Sequence, residues 1–289
     1  MKKVAHKFLW GIIFLLLFTY CSSTLAIPHP VKAQDISTEN TQETDFLWPS
    51  GPSVFADSAI VMEVTTGLIL YEKDIYTSYY PASITKVLTA LMALENCSLN
   101  EIVTMSDAAE HNVYGSRIGL VSGEQVTLKD AMYGMLLESA NEVSYAIGEH
   151  VAAKVNNNSG SMEEFSALMN ARVKELGGVN SNFINPNGLH ETEHYTCAYD
   201  MALIGREAIR YPEFRKIAGT RTYTIPATNK NVARPLANHH RFIRKTLNYQ
   251  YAIDRWYHRS PDHSRHFRRK GRAAPCCCCT PCGHGTSCL

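Results

Sequence analysis

Pro81-Ala82-Ser83-Ile84-Thr85-Lys86 opens a helical pattern in which Val87, Leu88, Leu91 and Met92 share one face. Three residues apart on a helix places Ser83 and Lys86 on the same side, about a turn apart. A serine hydroxyl is a poor nucleophile until a neighbour takes its proton. A lysine does so only when neutral; burial lowers its pKa, and the positive end of the helix dipole pushes the same way. Pro81 fits a helix that begins near Ser83. Taken alone the pattern says little. A Ser-x-x-Lys occurs by chance on the order of once in a chain this long, and an exposed helix-start serine beside a solvated lysine is the plainer reading.

A second triplet changes the balance. Ser139-Ala140-Asn141 interrupts two helical patterns, one over 128–137 and one over 141–153, and so lies at a turn. There Ser139 is placed to relay the proton to a leaving amine and Asn141 to hold substrate amide groups. The competing role for Ser139 is a helix N-cap, worth about 1 kcal/mol. The similar Ser98-Leu99-Asn100 lies too close to the Ser83 helix to fold back over its start and reads as a cap or turn.

The surroundings are those of an exported globular protein. The 289 residues are 45% hydrophobic and 19% charged, with a net charge of +1. That length suffices for one large or two small domains, and the balance favours neither nucleic acid nor an acidic polymer as partner. Lys2, Lys3 and Lys7 precede an apolar run from Phe8 to Tyr20, with small-residue cleavage sites at Thr24-Leu25-Ala26 or Val31-Lys32-Ala33. Residues 1–26, or 1–33, therefore read as an export signal; an uncleaved anchor is the alternative, and bulky Tyr20 argues against a lipoprotein at Cys21. Polar residues 27–52 read as a linker.

Beyond it, strands are expected over 59–64 and 68–71, joined by a turn at Thr65-Thr66-Gly67, with another strand over 221–225. Further helices are expected over 162–176, stopped by Gly177-Gly178, and over 198–210, ended by Pro212 and capped by Asp200. The plan is mixed α/β, with a helical cluster between parts of one sheet. Cys97 and Cys197 are open to pairing, and His239 and His240 read as surface or hydrogen-bonding residues rather than ligands. Tyr79 and Tyr80 fit either a cleft or the core.

Together, Pro81 to Lys86 and Leu136-Leu137-Glu138-Ser139-Ala140-Asn141 resemble the first two active-site motifs of the serine penicillin-recognising enzymes. Phe183-Ile184-Asn185-Pro186-Asn187-Gly188-Leu189-His190 and residues 195–202 resemble the segments downstream of the second motif in the low-molecular-mass D-alanyl-D-alanine carboxypeptidases. Asn238-His239-His240 and residues 245–253 resemble the approach to the third motif. The resemblance implies a β-lactamase/transpeptidase-like α+β fold over 53–253, an antiparallel sheet with a helical cluster. It also implies a substrate, the peptidoglycan stem peptide ending in D-Ala-D-Ala. Ser83 is then the nucleophile, its backbone N–H half of an oxyanion hole, Lys86 the base, Ser139 the relay and Asn141 the substrate anchor. β-Lactams are implied as covalent inhibitors, no metal or cofactor is implied, and peripheral membrane association stays open. A β-lactamase would need a Glu-x-x-Leu-Asn loop, which is absent between Asn141 and Ile253.

The third motif, Lys-Thr-Gly or Lys-Ser-Gly, is missing: no lysine in the 289 residues is followed by Thr-Gly or Ser-Gly, and Lys245-Thr246-Leu247 has leucine where glycine is needed. Weak activity, or none, is the expectation, together with an incomplete sheet. Residues 254–289 carry seven Lys or Arg against two Asp, and six of the nine cysteines (Cys276, Cys277, Cys278, Cys279, Cys282 and Cys288) fall in the last fourteen residues. The spacing of Cys279, Cys282 and His284 fits no tetrahedral zinc site. Codons for residues 266–279 read one base later permit Thr-Phe-Ala-Glu-Lys-Asp-Gly-Leu-Arg-Leu-Val-Ala-Val-Val, a charged turn feeding an apolar β-run. A shifted reading frame is therefore the preferred explanation of this stretch, which is expected to be disordered.

Overall fold

The structure, a computed structural model, describes residues 51–240 and Ile243, together with the backbone of 280–282 and 286–288. The export signal, the linker up to residue 50, the 245–253 segment and most of the 254–289 tail lie outside the described residues.

The chain begins with the expected hairpin, β1 (Ala59–Met62) paired antiparallel with β2 (Ile69–Lys73). Its turn is held by the Glu63 carboxylate, which accepts from the N–H groups of Thr65 and Thr66 at 2.8 and 2.6 Å. Gly67 supplies the left-handed residue at φ +78°. A one-turn 3₁₀ segment (Ala82–Ile84) then runs into α1 (Thr85–Asn96). The apolar face of α1 is buried as expected, but so is everything else from Thr85 to Ala93. A helix wrapped on all sides is a central one. It packs against α3 (Leu128–Leu137), α4 (Asn141–Asn156), α5 (Met162–Glu175), α6 (Ala198–Ala208) and α7 (Pro212–Ala218). Between α1 and α3 the chain forms β3 (Ile102–Thr104), the short α2 (Asp107–His111) and β4 (Gln125–Thr127), with β3 and β4 antiparallel.

Local caps set the helix starts. Thr127 Oγ1 accepts from Asp130 N at the head of α3, and Ser161 with Glu164 forms a reciprocal capping box at the head of α5. Pro212, expected to end a helix, does so only by starting the next: α6 stops at Ala208, and Pro212 takes the first position of α7, where its missing N–H costs nothing. Asp200 does not cap α6, because Cys197 holds that position. Its carboxylate instead clamps the preceding loop, accepting from Val179 N (2.9 Å), Asn180 N (2.8 Å) and Ser181 Oγ (2.6 Å). Cys97 and Cys197 are not paired.

β5 (Thr222–Ile225) and β6 (Arg234–Ala237) form a further antiparallel hairpin. It is fastened to α3 by Tyr223, whose ring stacks on Tyr133 at 3.6 Å and whose hydroxyl donates to Asp130 Oδ1 at 2.5 Å. A last ladder joins β7 (Thr280–Cys282) and β8 (Thr286–Cys288). The class is thus the mixed one expected, antiparallel strands around a helical cluster. The strands form separate two-stranded ladders, however, and no continuous sheet joins them among the described residues.

Candidate active site

Ser83 lies in the 3₁₀ turn, reached through Ala82, whose φ of +51° is a left-handed conformation that costs a non-glycine residue about 1–2 kcal/mol. Lys86, one turn on, is 2% exposed. Its Nζ stands 3.2 Å from Ser83 Oγ, 2.7 Å from Asn141 Oδ1 and 2.7 Å from the carbonyl oxygen of Asn187. Burial lowers the lysine to about 7, against a smaller upward pull from Glu142.

All three neighbours of Nζ can accept, so they suit the charged and the neutral amine alike. The Asn187 carbonyl can only accept. The Asn141 amide is oriented by its Nδ2, which donates to the Tyr114 carbonyl at 2.5 Å, so Oδ1 faces the lysine and also only accepts. A neutral amine has two N–H donors and one lone pair, one donor for each carbonyl. In that form the lone pair is free to face Ser83 Oγ, which accepts from the amine when it is charged.

Two loops hold these groups. Asn141 opens α4 and donates its backbone N–H to Ser116 O at 2.8 Å. The 185–189 loop is locked by its own side chains: Asn185 Oδ1 accepts from Gly188 N at 2.7 Å and Asn187 Oδ1 from Leu189 N at 3.0 Å. It is tied to α1 by Thr89 Oγ1, which donates to Pro186 O at 2.7 Å. Buried His194 adds a second tie. Its Nδ1 accepts from Ile184 N at 3.1 Å, so its proton sits on Nε2 and is donated to Thr85 Oγ1 at 3.0 Å. Burial, first, and His190, second, hold this imidazole down at about 4, in its neutral form. Tyr80 is exposed, with its ring edge-on to His190 at 4.6 Å, which places it at the surface rather than in the core.

Ser139 lies between α3 and α4 at φ +57°. It is not a helix cap, since Ala140 occupies that position and makes no side-chain cap bond. Its buried Oγ has no hydrogen-bond partner among the described residues and bonds neither Ser83 nor Lys86. An unpartnered buried hydroxyl costs about 1–3 kcal/mol and a left-handed serine about 1–2 kcal/mol more. Two such penalties on one residue point to a group kept for a ligand. The end of β6 and the chain after it come to the same turn: Ala237 N donates to Glu138 Oε1 at 2.7 Å, and His239 Nε2 lies 2.6 Å from Glu138 Oε2.

Two participants were not legible in the sequence. The Asn187 carbonyl is a backbone group and has no residue signature. Glu142, fully buried, accepts from Ile118 N (2.7 Å) and Gly119 N (3.0 Å) through Oε1, while Oε2 lacks a hydrogen-bond partner among the described residues and has only Arg117 Nε at 4.0 Å. It fixes the loop that carries Tyr114 and Ser116, and burial raises its own pKa. Glu142→Gln keeps an acceptor for both N–H groups and removes the charge. The pH midpoint for acylation of Ser83 is expected to fall, because Lys86 loses the carboxylate that favours its charged form. An unchanged midpoint, measured with labelled penicillin, would show that Glu142 exerts no such influence.

The donor set at this site, an amine, two hydroxyls and an amide, does not suit tight binding of a divalent metal. The family described as D-alanyl-D-alanine carboxypeptidase matches residues 46–251. D-alanyl-D-alanine carboxypeptidase DacF of Bacillus subtilis is 35% identical over 225 residues, 76% of this chain and 51% of the relative. DacA of Haemophilus influenzae is 31% identical over 212 residues, 70% and 51% of the two chains. The chain thus spans about half the length of the curated relatives it matches. Among solved structures, the Streptomyces K15 DD-transpeptidase superposes with a TM-score of 0.60 at 26% identity, covering 68% of this chain and 78% of that one.

Proposed function

This chain belongs to the D-alanyl-D-alanine carboxypeptidase family, and we propose that it cleaves the terminal D-alanine from peptidoglycan stem peptides through an acyl-enzyme on Ser83. The observation that carries this reading is the Lys86 amine, buried and held between two carbonyls beside Ser83 Oγ. Nζ takes the hydroxyl proton as Oγ attacks the carbonyl between the two D-alanines. The backbone N–H of Ser83 is one donor to the oxyanion that forms. The proton then passes, by way of Ser139, to the leaving amine, and D-alanine departs. Water attacks the ester, and Lys86 again takes the proton that must leave it. Asn141 orients both the lysine and the substrate amide. A penicillin enters the same path, and its acyl group stays on Ser83. The reaction takes place outside the cytoplasmic membrane, at the cell wall, as the basic and apolar residues 1–26 suggest.

The 289 residues hold no Lys-Thr-Gly or Lys-Ser-Gly, so a cation for the substrate carboxylate and a second oxyanion donor are expected to be lacking. One such donor is worth about 10²–10³ in rate. Purified chain is therefore expected to take up labelled penicillin at Ser83 but to release little D-alanine, and to release more once a Lys-Thr-Gly strand is restored after Ile253. Labelling that persists in Ser83→Ala would sink the assignment of the nucleophile. Full D-alanine release from the present chain would sink the expectation of weakness. Penicillin uptake with no peptide hydrolysis, even after that restoration, would identify a binding or sensing protein instead. Fast turnover of a chromogenic cephalosporin would identify a β-lactamase.

A further inference from the structure

Away from the active site, three metal-ligand side chains meet at the opposite ends of α1 and α4. Cys97 caps the C-terminus of α1, Glu101 closes the next turn, and His150 projects from the third turn of α4. One donor atom from each lies within 4.8 Å of the other two, and all three residues are partly exposed. Around a tetrahedral zinc, with bonds of about 2.0–2.3 Å, donor atoms sit roughly 3.3–3.8 Å apart, so a small side-chain adjustment brings these onto one centre. Sulfur, imidazole nitrogen and carboxylate oxygen form a set suited to a borderline divalent metal rather than to magnesium or calcium.

The support around the cluster is already in place. Glu101 uses one oxygen, Oε1, for the N–H of Ser98 (2.6 Å) and the ammonium of Lys154. That leaves Oε2 turned toward His150 Nε2 at 3.0 Å. The Cys97 backbone is anchored by its N–H to Ala93 O at 2.9 Å. Neighbours that fix ligand orientation in this way are what a metal site needs beyond its ligands. Lys154 bonds Oε1, the oxygen that does not ligate, and so leaves Oε2 free for the ion.

We propose that Cys97, Glu101 and His150 form a structural site for zinc or a similar divalent ion, with water as fourth ligand on the solvent side. On binding, the Cys97 thiol gives its proton to solvent, and His150 carries its proton on Nδ1 so that Nε2 presents a lone pair. The ion would staple the end of α1 to α4, the two helices whose other ends carry Lys86 and Asn141. The proposal is independent of the reaction assigned to Ser83.

The test uses the full chain and reads Cys97 by itself, because residues 276–288 hold six further cysteines. Alkylation of each cysteine is followed by peptide mass spectrometry with and without one equivalent of zinc, then with an added chelator. Zinc is expected to slow alkylation of Cys97 at least tenfold, reversibly, and the protection is expected to vanish in both His150→Gln and Glu101→Gln. Thermal unfolding of the two variants confirms that each is folded. Equal Cys97 alkylation with and without zinc, protection confined to residues 276–288, or protection surviving in both variants would each overturn the site.

Discussion

Lys86→Met abolishes penicillin acylation of Ser83, with an expected loss of about 10³-fold or more, and Lys86→Arg does the same. A positioned general base contributes about 10²–10⁴. The gain depends on neutrality. A lysine at the ordinary 10.5 is neutral in only about 3 molecules in 10,000 at pH 7, whereas one at about 7 is neutral in roughly half. The wild-type acylation rate is accordingly expected to rise with pH through a midpoint near 7 and then level off. Methionine keeps the length and apolar stem of lysine without the amine. It leaves the Asn141 and Asn187 carbonyls without a donor, at about 1–3 kcal/mol each, an amount visible in thermal unfolding and separable from the chemistry. Arginine is the sharper variant. It preserves positive charge and hydrogen-bond donors yet stays protonated at any working pH. If Lys86 acts only as a cation, Lys86→Arg acylates within about tenfold of wild type, and the base role fails.

The same residue shows what a sequence can and cannot disclose. The Ser83–Lys86 pairing was legible because it is local, since three residues on a helix face one another whatever surrounds them. The turn at Ser139 was legible because helical periodicity breaks on both sides of it. The feature that makes Lys86 a base, its burial on every side of α1, was not legible, because it depends on five other helices packing around that helix. The Asn187 carbonyl was beyond reach for a different reason: every residue has a carbonyl, so side-chain identity carries no signal for it. Pro212 and Asp200 were misread where a local rule has two outcomes. Proline ends one helix or begins another, and an aspartate at a helix start caps that helix or clamps the loop before it. The strand pairings of β3 with β4 and β5 with β6 join short runs across intervening loops, and of these strands only the β5 run was anticipated. The Asn185-Pro186-Asn187-Gly188 run was marked in the sequence only by its resemblance to a family segment, and it folds as a loop locked by its own side chains. The structure shows what that loop rests on.

Gly188→Ala is expected to destabilise the protein by roughly 3–5 kcal/mol and to displace Ser83, because it adds two separate costs at one atom. Gly188 has φ +79°, a conformation costing alanine about 1–2 kcal/mol. The added Cβ would also lie 1.8 Å from the carbonyl oxygen of Ala82 and 2.3 Å from its carbonyl carbon, with Thr85 Oγ1 at 2.9 Å. Those first two atoms are backbone and cannot rotate away. The loop or the nucleophile turn has to move. Ala82 is already left-handed, and Thr89 and His194 tie the loop to α1, so relief is expected to come from the turn that presents Ser83. Gly119→Ala is the control. Its φ of +77° is nearly the same, but a Cβ there meets nothing within 4 Å. It is expected to lose only the conformational cost and to retain penicillin acylation. The difference between the two variants in denaturant unfolding then isolates the overlap with Ala82, and the difference in acylation rate measures how far the nucleophile depends on that contact. Equal stability losses in the two, with Ser83 equally reactive, would show that the 185–189 loop yields freely and has no part in setting the nucleophile's position.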